Sequence, residues 1–310
     1  MRKFSIVFAT LVIVLALISF SLALEPQLPP REEPKEVQVG LYLLNLGKFD
    51  IATGSFTADF YLDFQCEKEC PEFDFEFMNG RASSIEKIID EKDEKFYRIQ
   101  ANLNSPVNLR SFPFDRQEMQ IIIEDKKATI DTLVYVPDIE ESGIDNTIAF
   151  TGWRLGNWTA EERQHEYEVY DEVYSQYVFT IPINRIKVNS ILKTFLPVIF
   201  ILLVMLTGFF LGTDKILTRL TMAGSALVAS VMFHISISNQ IPPTGYLTFA
   251  DKFMVLTYLI VLLTFGLNVI MLKLQDFKKK ELVEKIHRYT EYSMFIIVAI
   301  LYALLFIFGM

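Results

Sequence analysis

The run YVFTIPINRIKVNSILKTFLPVIFILLVMLTGFFL, residues 177–211, decides the fold. Its first part, Tyr177–Val188, is rich in aromatic and β-branched residues and reads as a strand. Its second part, Ile191–Leu211, is apolar and of the roughly 20-residue length a bilayer-spanning helix needs. Three similar stretches follow, so the predicted spans are 191–211, 217–237, 253–274 and 291–309. The charge changes at the same place. Residues 24–190 carry 32 acids and 17 bases, whereas 191–310 carry 6 acids and 10 bases. The chain of 310 residues is 51% hydrophobic with a mean hydropathy of +0.30 and a net charge of −9. Such a chain is too apolar for a cytosolic enzyme or a disordered protein, and it lacks the basic face of a nucleic-acid binder.

Upstream, hydrophobicity alternates with period two. Val37, Val39, Leu41 and Leu43 mark one strand, and Phe56, Ala58, Phe60, Leu62 and Phe64 another. Further strand-like runs are 96–103, 119–123 and 147–153, separated by Asn, Asp, Gly and Pro. The predicted fold class is an α+β membrane protein: an antiparallel β-sandwich over 37–190, then a four-helix transmembrane domain over 191–310. Residues 1–23 read as a secretory signal, with an uncleaved anchor helix as the alternative, and 24–36 as a Pro-rich extended leader.

Positive residues fix the topology. Lys215 and Arg219 follow the first span, and Lys273, Lys278, Lys279, Lys280, Lys285 and Arg288 follow the third. Both loops are therefore expected in the cytoplasm, with the sandwich and the C-terminus extracellular or periplasmic in a multi-pass protein of the cell membrane. In the second span Thr221, Ser225, Val228, Met232 and Ile235 recur at steps of four and three, which places them on one helix face. Hydroxyls below and apolar groups above suit a pore gated by dewetting. A buried bundle helix packed through its small residues gives the same pattern.

Residues 105–119 read Ser-Pro-Val-Asn-Leu-Arg-Ser-Phe-Pro-Phe-Asp-Arg-Gln-Glu-Met. Phe112, Pro113, Phe114, Asp115 and Gln117 resemble the core of the signature loop of the pentameric ligand-gated ion channels, the Cys-loop receptor superfamily. Ser105 and Met119 stand where eukaryotic members have their bracketing cysteines, as in the prokaryotic members. Arg185 before the first span, Pro197 within it, Pro242 and Pro243 between the second and third, and Asp50 in the first strand-to-strand turn fall in the family's order. The resemblance covers about residues 37–310.

The resemblance implies a homopentamer, in which four identical subunits join each chain around a pore lined by the second helix. It implies that Asp50, Asp115 and Arg185 form a charge cluster coupling the sandwich to the loop at Pro242–Tyr246, and that Val228, Met232 and Ile235 form the gate above Thr221 and Ser225. For the permeant ion the family's residues are silent, because its cytoplasmic-mouth glutamate and its Pro-Ala pair are both missing. Five acidic domains around one vestibule favour cations.

The cue is expected to be a small ligand, a proton or a divalent cation. Glu166, Tyr167, Tyr170 and Tyr174 lie where the family has its capping loop, and tyrosines beside carboxylates suit an organic ammonium. A solvated acidic hairpin is the plain alternative. The acid and pore-helix histidine of the proton-gated members are replaced by Thr53 and Ser230, so those sites do not transfer. Cys66 and Cys70 favour a short-loop disulfide over a metal site. His234 is either bundle packing or a pH modulator. No catalytic, cofactor or metal constellation is visible, and the expected partners are other copies of the chain, permeant ions and membrane lipids. A non-conducting, membrane-anchored receptor remains the second function class.

Overall fold

In a computed structural model, residues 33–72 and 74–309 are described. The signal of residues 1–23 and most of the leader lie outside them. The N-terminal half holds eleven strands among the described residues: β1 (Lys35–Leu46), β2 (Ser55–Cys66), β3 (Phe75–Phe77), β4 (Gly80–Asp90), β5 (Glu94–Asn104), β6 (Arg116–Asp125), β7 (Leu133–Pro137), β8 (Gly143–Ile144), β9 (Trp153–Leu155), β10 (Thr159–Tyr167) and β11 (Glu172–Arg185). One sheet runs β4-β5-β2-β1-β7 with β8 on β1, the other β10-β11-β6-β3 with β9 on β11.

The alternating positions fill the space between the sheets. Val37, Val39, Leu41 and Leu43 from β1, and Phe56, Ala58, Phe60, Leu62 and Phe64 from β2, meet Met119, Ile121 and Ile123 of β6 and Phe179, Ile181 and Ile183 of β11 in one buried cluster. Two pairings depart from the antiparallel expectation, since β7 and β8 both run parallel to β1. The chain reaches β7 from β6 in the other sheet, and β8 continues along the same edge of β1 in the same direction. Residues 147–152 are turn and irregular chain, with strand starting only at Trp153. The strand β4, polar and exposed along an edge, has no apolar alternation and escapes a pattern search. Cys66 and Cys70 form a disulfide.

Among the described residues, four helical segments are long and apolar enough to cross a membrane: Lys187–Phe210, Thr213–Ser238, Phe249–Asp276 and Lys280–Phe308. The first is interrupted at Phe195, between Lys187–Thr194 and Leu196–Thr207. Pro197 explains the break, because its ring excludes the carbonyl four residues back and it offers no N–H. The third is started by a capping box between Thr248 and Asp251. The fourth begins at Lys280, well before its apolar stretch, because its first turns bury Val283 while presenting Lys280 and Lys285 outward.

Candidate functional site

The predicted coupling residues gather where the sandwich meets the helices. Arg185, the last residue of β11, donates from Nε to Asp115 Oδ1 at 2.7 Å and from Nη2 to Oδ2 at 3.1 Å. The Asp115 side chain is 1% exposed. Gln117 Nε2 donates to the same carboxylate at 2.8 Å, and its amide also closes the loop through Asn108. The Arg185 guanidinium lies 4.3 Å from the Trp153 ring centroid and 5.1 Å from that of Phe112. A planar guanidinium suits both the fork and the ring faces. Trp153 thus flanks the ion pair as well as packing on the core, a contact the sequence did not reveal.

Asp50 is not in this cluster. Its oxygens cap the β1–β2 turn, accepting from the Ala52 N–H at 2.9 Å and the Thr53 hydroxyl at 3.1 Å, and these bonds hold its carboxyl below the usual carboxylate range. A short Asp side chain satisfies its own turn before it reaches a distant cation. The turn touches the signature loop through backbone instead, with Ser105 N–H donating to the Gly54 carbonyl at 2.9 Å. Gly54 has φ +75°, and a Cβ there would meet the Ser105 carbonyl oxygen.

The loop is bonded to the helices. The Arg110 carbonyl accepts from Phe249 N–H at 2.8 Å and the Phe112 carbonyl from Ala250 N–H at 3.0 Å. These are first-turn donors of the third span, which a helix cannot satisfy internally. Leu109 N–H donates to the Tyr246 hydroxyl at 2.9 Å, and Arg110 lies 5.3 Å from the Tyr246 ring. Phe114 stacks on Phe195 at 5.6 Å and touches Phe249 and Phe306, so one aromatic side chain contacts the first, third and fourth spans. The Phe112–Pro113 bond is cis. Pro242 is half-buried and Pro243 exposed, both in the loop that ends at Tyr246.

On the second span Thr221, Ser225, Val228, Met232 and Ile235 are all exposed, Val228 and Met232 by 65% and 64%. The other face, with Arg219, Ala223, Ala226, Ser230 and Ile237, is buried in the bundle. His234 sits between these faces and bridges to the third span, its Nδ1 2.8 Å from the Tyr258 hydroxyl and its Nε2 3.1 Å from Asp251 Oδ1.

The β10–β11 hairpin covers a cavity of about 210 Å³ lined by Glu76, Glu124, Lys126, Tyr167, Tyr170, Glu172 and Tyr174. Three of the four predicted ligand residues are there. Glu166 is not: strand alternation turns it to the opposite side from His165 and Tyr167, where it is exposed. Its place is taken by Glu124, 2% exposed, which accepts from Tyr167 Oη at 2.9 Å, from Gln176 Nε2 at 2.8 Å and from His165 Nδ1 at 2.9 Å. Burial and the Glu124 bond push the Tyr167 phenol up to about 12. A larger cavity of about 780 Å³ beside Cys66 holds none of the predicted residues.

No family model matches the chain. Over 260 residues, 76% of this chain and 72% of the relative, it is 24% identical to a proton-gated ion channel of Gloeobacter violaceus. Over 142 residues, 45% of this chain and 25% of the relative, it is 25% identical to the acetylcholine receptor subunit alpha-type deg-3 of Caenorhabditis elegans. The chain is a homologue of the pentameric ligand-gated ion channels. As in that family, a sheet-rich extracellular domain precedes four membrane-spanning helices. The homology gives these contacts a context, because the Arg185–Asp115 fork ties the signature loop to β11 and the loop-to-helix bonds tie that loop to the third span.

Proposed function

We propose that five copies of the chain form a channel in which residues 37–190 sense an extracellular cue and 191–310 conduct. The single observation that carries this is the second span's exposed stripe, from Thr221 and Ser225 to Val228, Met232 and Ile235. An apolar stripe with hydroxyls at one end faces no partner among the described residues, and a shared pore gives it one. The permeant ions are monovalent cations, drawn by the acidic sandwich. Arg219 does not oppose them, being 2% exposed and turned into the bundle. The Arg185–Asp115 fork and the signature loop transmit the movement, and the chain performs no catalysis. Lysines 278–280 meet anionic lipid at the cytoplasmic surface.

The cavity under the β10–β11 hairpin is the ligand site of this reading, with Glu124 and Glu172 supplying charge and Tyr167, Tyr170 and Tyr174 ring faces. A proton is the second cue, and Asp63 favours it. Asp63 is 7% exposed, and its Oδ1 has no hydrogen-bond partner among the described residues. Burial raises its carboxyl above the usual range, with Glu141 and Asp138 adding to the shift and the Gln65 bond opposing it. Voltage-clamp recording tests both cues: extracellular pH is stepped in asymmetric salt, then organic amines are applied at fixed pH. A current reversing near the cation equilibrium potential is expected. Silence to every cue, with the pentamer at the surface and Val228→Ser silent too, refutes the channel.

A further inference from the structure

Arg219 and His287 meet at the cytoplasmic end of the bundle, away from every residue assigned above to the cue or its transmission. Arg219 Nη2 donates to the Leu211 carbonyl and lies 3.2 Å from His287 Nδ1. The guanidinium is 6.0 Å from the Phe209 ring, and its Nε and Nη1 have no partner among the described residues. A guanidinium has only donors and keeps its charge at every physiological pH. His287 Nδ1 must therefore present its lone pair, which makes the imidazole neutral with its proton on Nε2.

We propose that the Arg219–His287 bond is a proton-operated latch, in which cytoplasmic acid protonates His287 and frees the inner end of the second span from the fourth. Protonation turns the acceptor into a donor and sets two cations side by side. Arg219 then keeps one acceptor for its five N–H groups, in a site without water-like alternatives. The charged groups acting there are Arg219 from the second span, Glu291 one turn further along the His287 helix, and Asp214 from the loop before the second span. Asp214 already faces Lys215 at 3.3 Å. From the third span, Gln275 is uncharged and donates to the Thr213 carbonyl at 2.7 Å. The Thr290 hydroxyl donates to the carbonyls of Ile286 and His287, so it supplies no replacement donor for the ring. None of these restores an acceptor to Arg219 at the imidazole. His234 at the outer end has a different kind of partner, the Asp251 carboxylate 3.1 Å from its Nε2. The consequence for conduction rests on the second span lining the pore.

The first test is the melting temperature of the purified full-length protein in detergent between about pH 7.5 and 5.5, where histidine changes charge. His287→Asn keeps an acceptor that does not titrate, and His287→Lys carries a permanent charge. The wild type is expected to lose stability across this range that His287→Asn retains, and His287→Lys to have lost it already at the upper pH. Parallel profiles for wild type and His287→Asn overturn the latch, whatever the fate of His287→Lys. In inside-out patches with external pH fixed, the same cytoplasmic step is expected to change wild-type current at least about fivefold, within the usual range of coupling between sites. The His287→Asn current should stay level. An equal response from both overturns the latch's hold on the pore. Diverging melting profiles with both channels electrically silent support the latch and count against the channel reading.

Discussion

Arg185→Met removes both donors of the fork while keeping an apolar stem against Trp153 and Phe112. Asp115 then stays buried, at 1% side-chain exposure, with Gln117 Nε2 as its remaining side-chain donor. Stripping one partner from a buried ion pair costs about 3–5 kcal/mol. Arg185 is 18% exposed and Gln117 remains, so the lower end applies, about 3 kcal/mol. For a domain of this size each kcal/mol lowers the melting temperature by roughly 2–4 °C, which predicts a fall of about 6–12 °C. Asp115→Asn alone removes the charge that Arg185 answers and leaves the guanidinium half-paired. Combined with Arg185→Met it removes both charges together, so the double variant should melt no lower than the worse single. The corresponding coupling is on the order of 2 kcal/mol, at the upper part of what contacting pairs show. The assay is thermal denaturation of the detergent-solubilised full-length protein, read as surviving oligomer on size exclusion. Additive losses in the double variant would falsify the buried-pair account and leave only a surface contact, worth about 0–1 kcal/mol.

Val228→Ser wets the middle of the exposed stripe and should shift activation to weaker stimulus; an unchanged activation curve in voltage clamp places Val228 off the lumen. Asp63→Asn should raise the melting temperature at neutral pH and leave it unchanged below about pH 4, the ordinary range of the carboxyl. The raised folded-state value means that protonated Asp63 favours the fold, and this contribution disappears as pH rises through that value. A constant offset at all pH values contradicts it. Tyr246→Phe strands the Leu109 N–H, a loss of about 1–3 kcal/mol if the site stays dry, and should weaken activation more than it weakens assembly. Glu124→Gln should weaken any current evoked by an organic amine in voltage clamp while sparing one evoked by acid; equal losses would move the ligand away from the hairpin cavity.

The sandwich and the spans were legible because each is written in a local period. Val37 to Leu43 and Phe56 to Phe64 show their buried face directly, and the stripe from Thr221 to Ile235 shows its exposed one. The site's polar partners were not legible in the same way. Glu124 sits on the strand face opposite Met119, Ile121 and Ile123, where alternation predicts exposure, and it is buried only because the β10–β11 hairpin folds over it. Glu166 failed for the converse reason. It stands next to Tyr167 in sequence but across the strand from it in space. Asp50 and Arg185 each fall in the family's order of residues, yet order along a chain does not fix which acid a guanidinium reaches. Asp115 won because its loop is folded back against β11, while Asp50 is occupied by its own turn.

In the proposed channel, two hydrogen bonds from the signature loop would pass movement of the sandwich on. The carbonyls of Arg110 and Phe112 cap the first turn of the third span, whose capping box uses Asp251. Asp251 has a second contact, with Nε2 of His234 on the second span, and Tyr258 a turn or two along holds the other ring nitrogen. The loop is tied at its other end to Asp115 through Gln117, and so to Arg185 at the foot of β11. A displacement of β11 relative to the membrane must therefore carry the third span's N-terminus with it or break bonds that this buried turn has no water to replace. Direct contact between sandwich and second span is not required. If the second span lines the pore as proposed, the bonded path to it from the sandwich runs through the third span's N-terminus and the contact of Asp251 with His234.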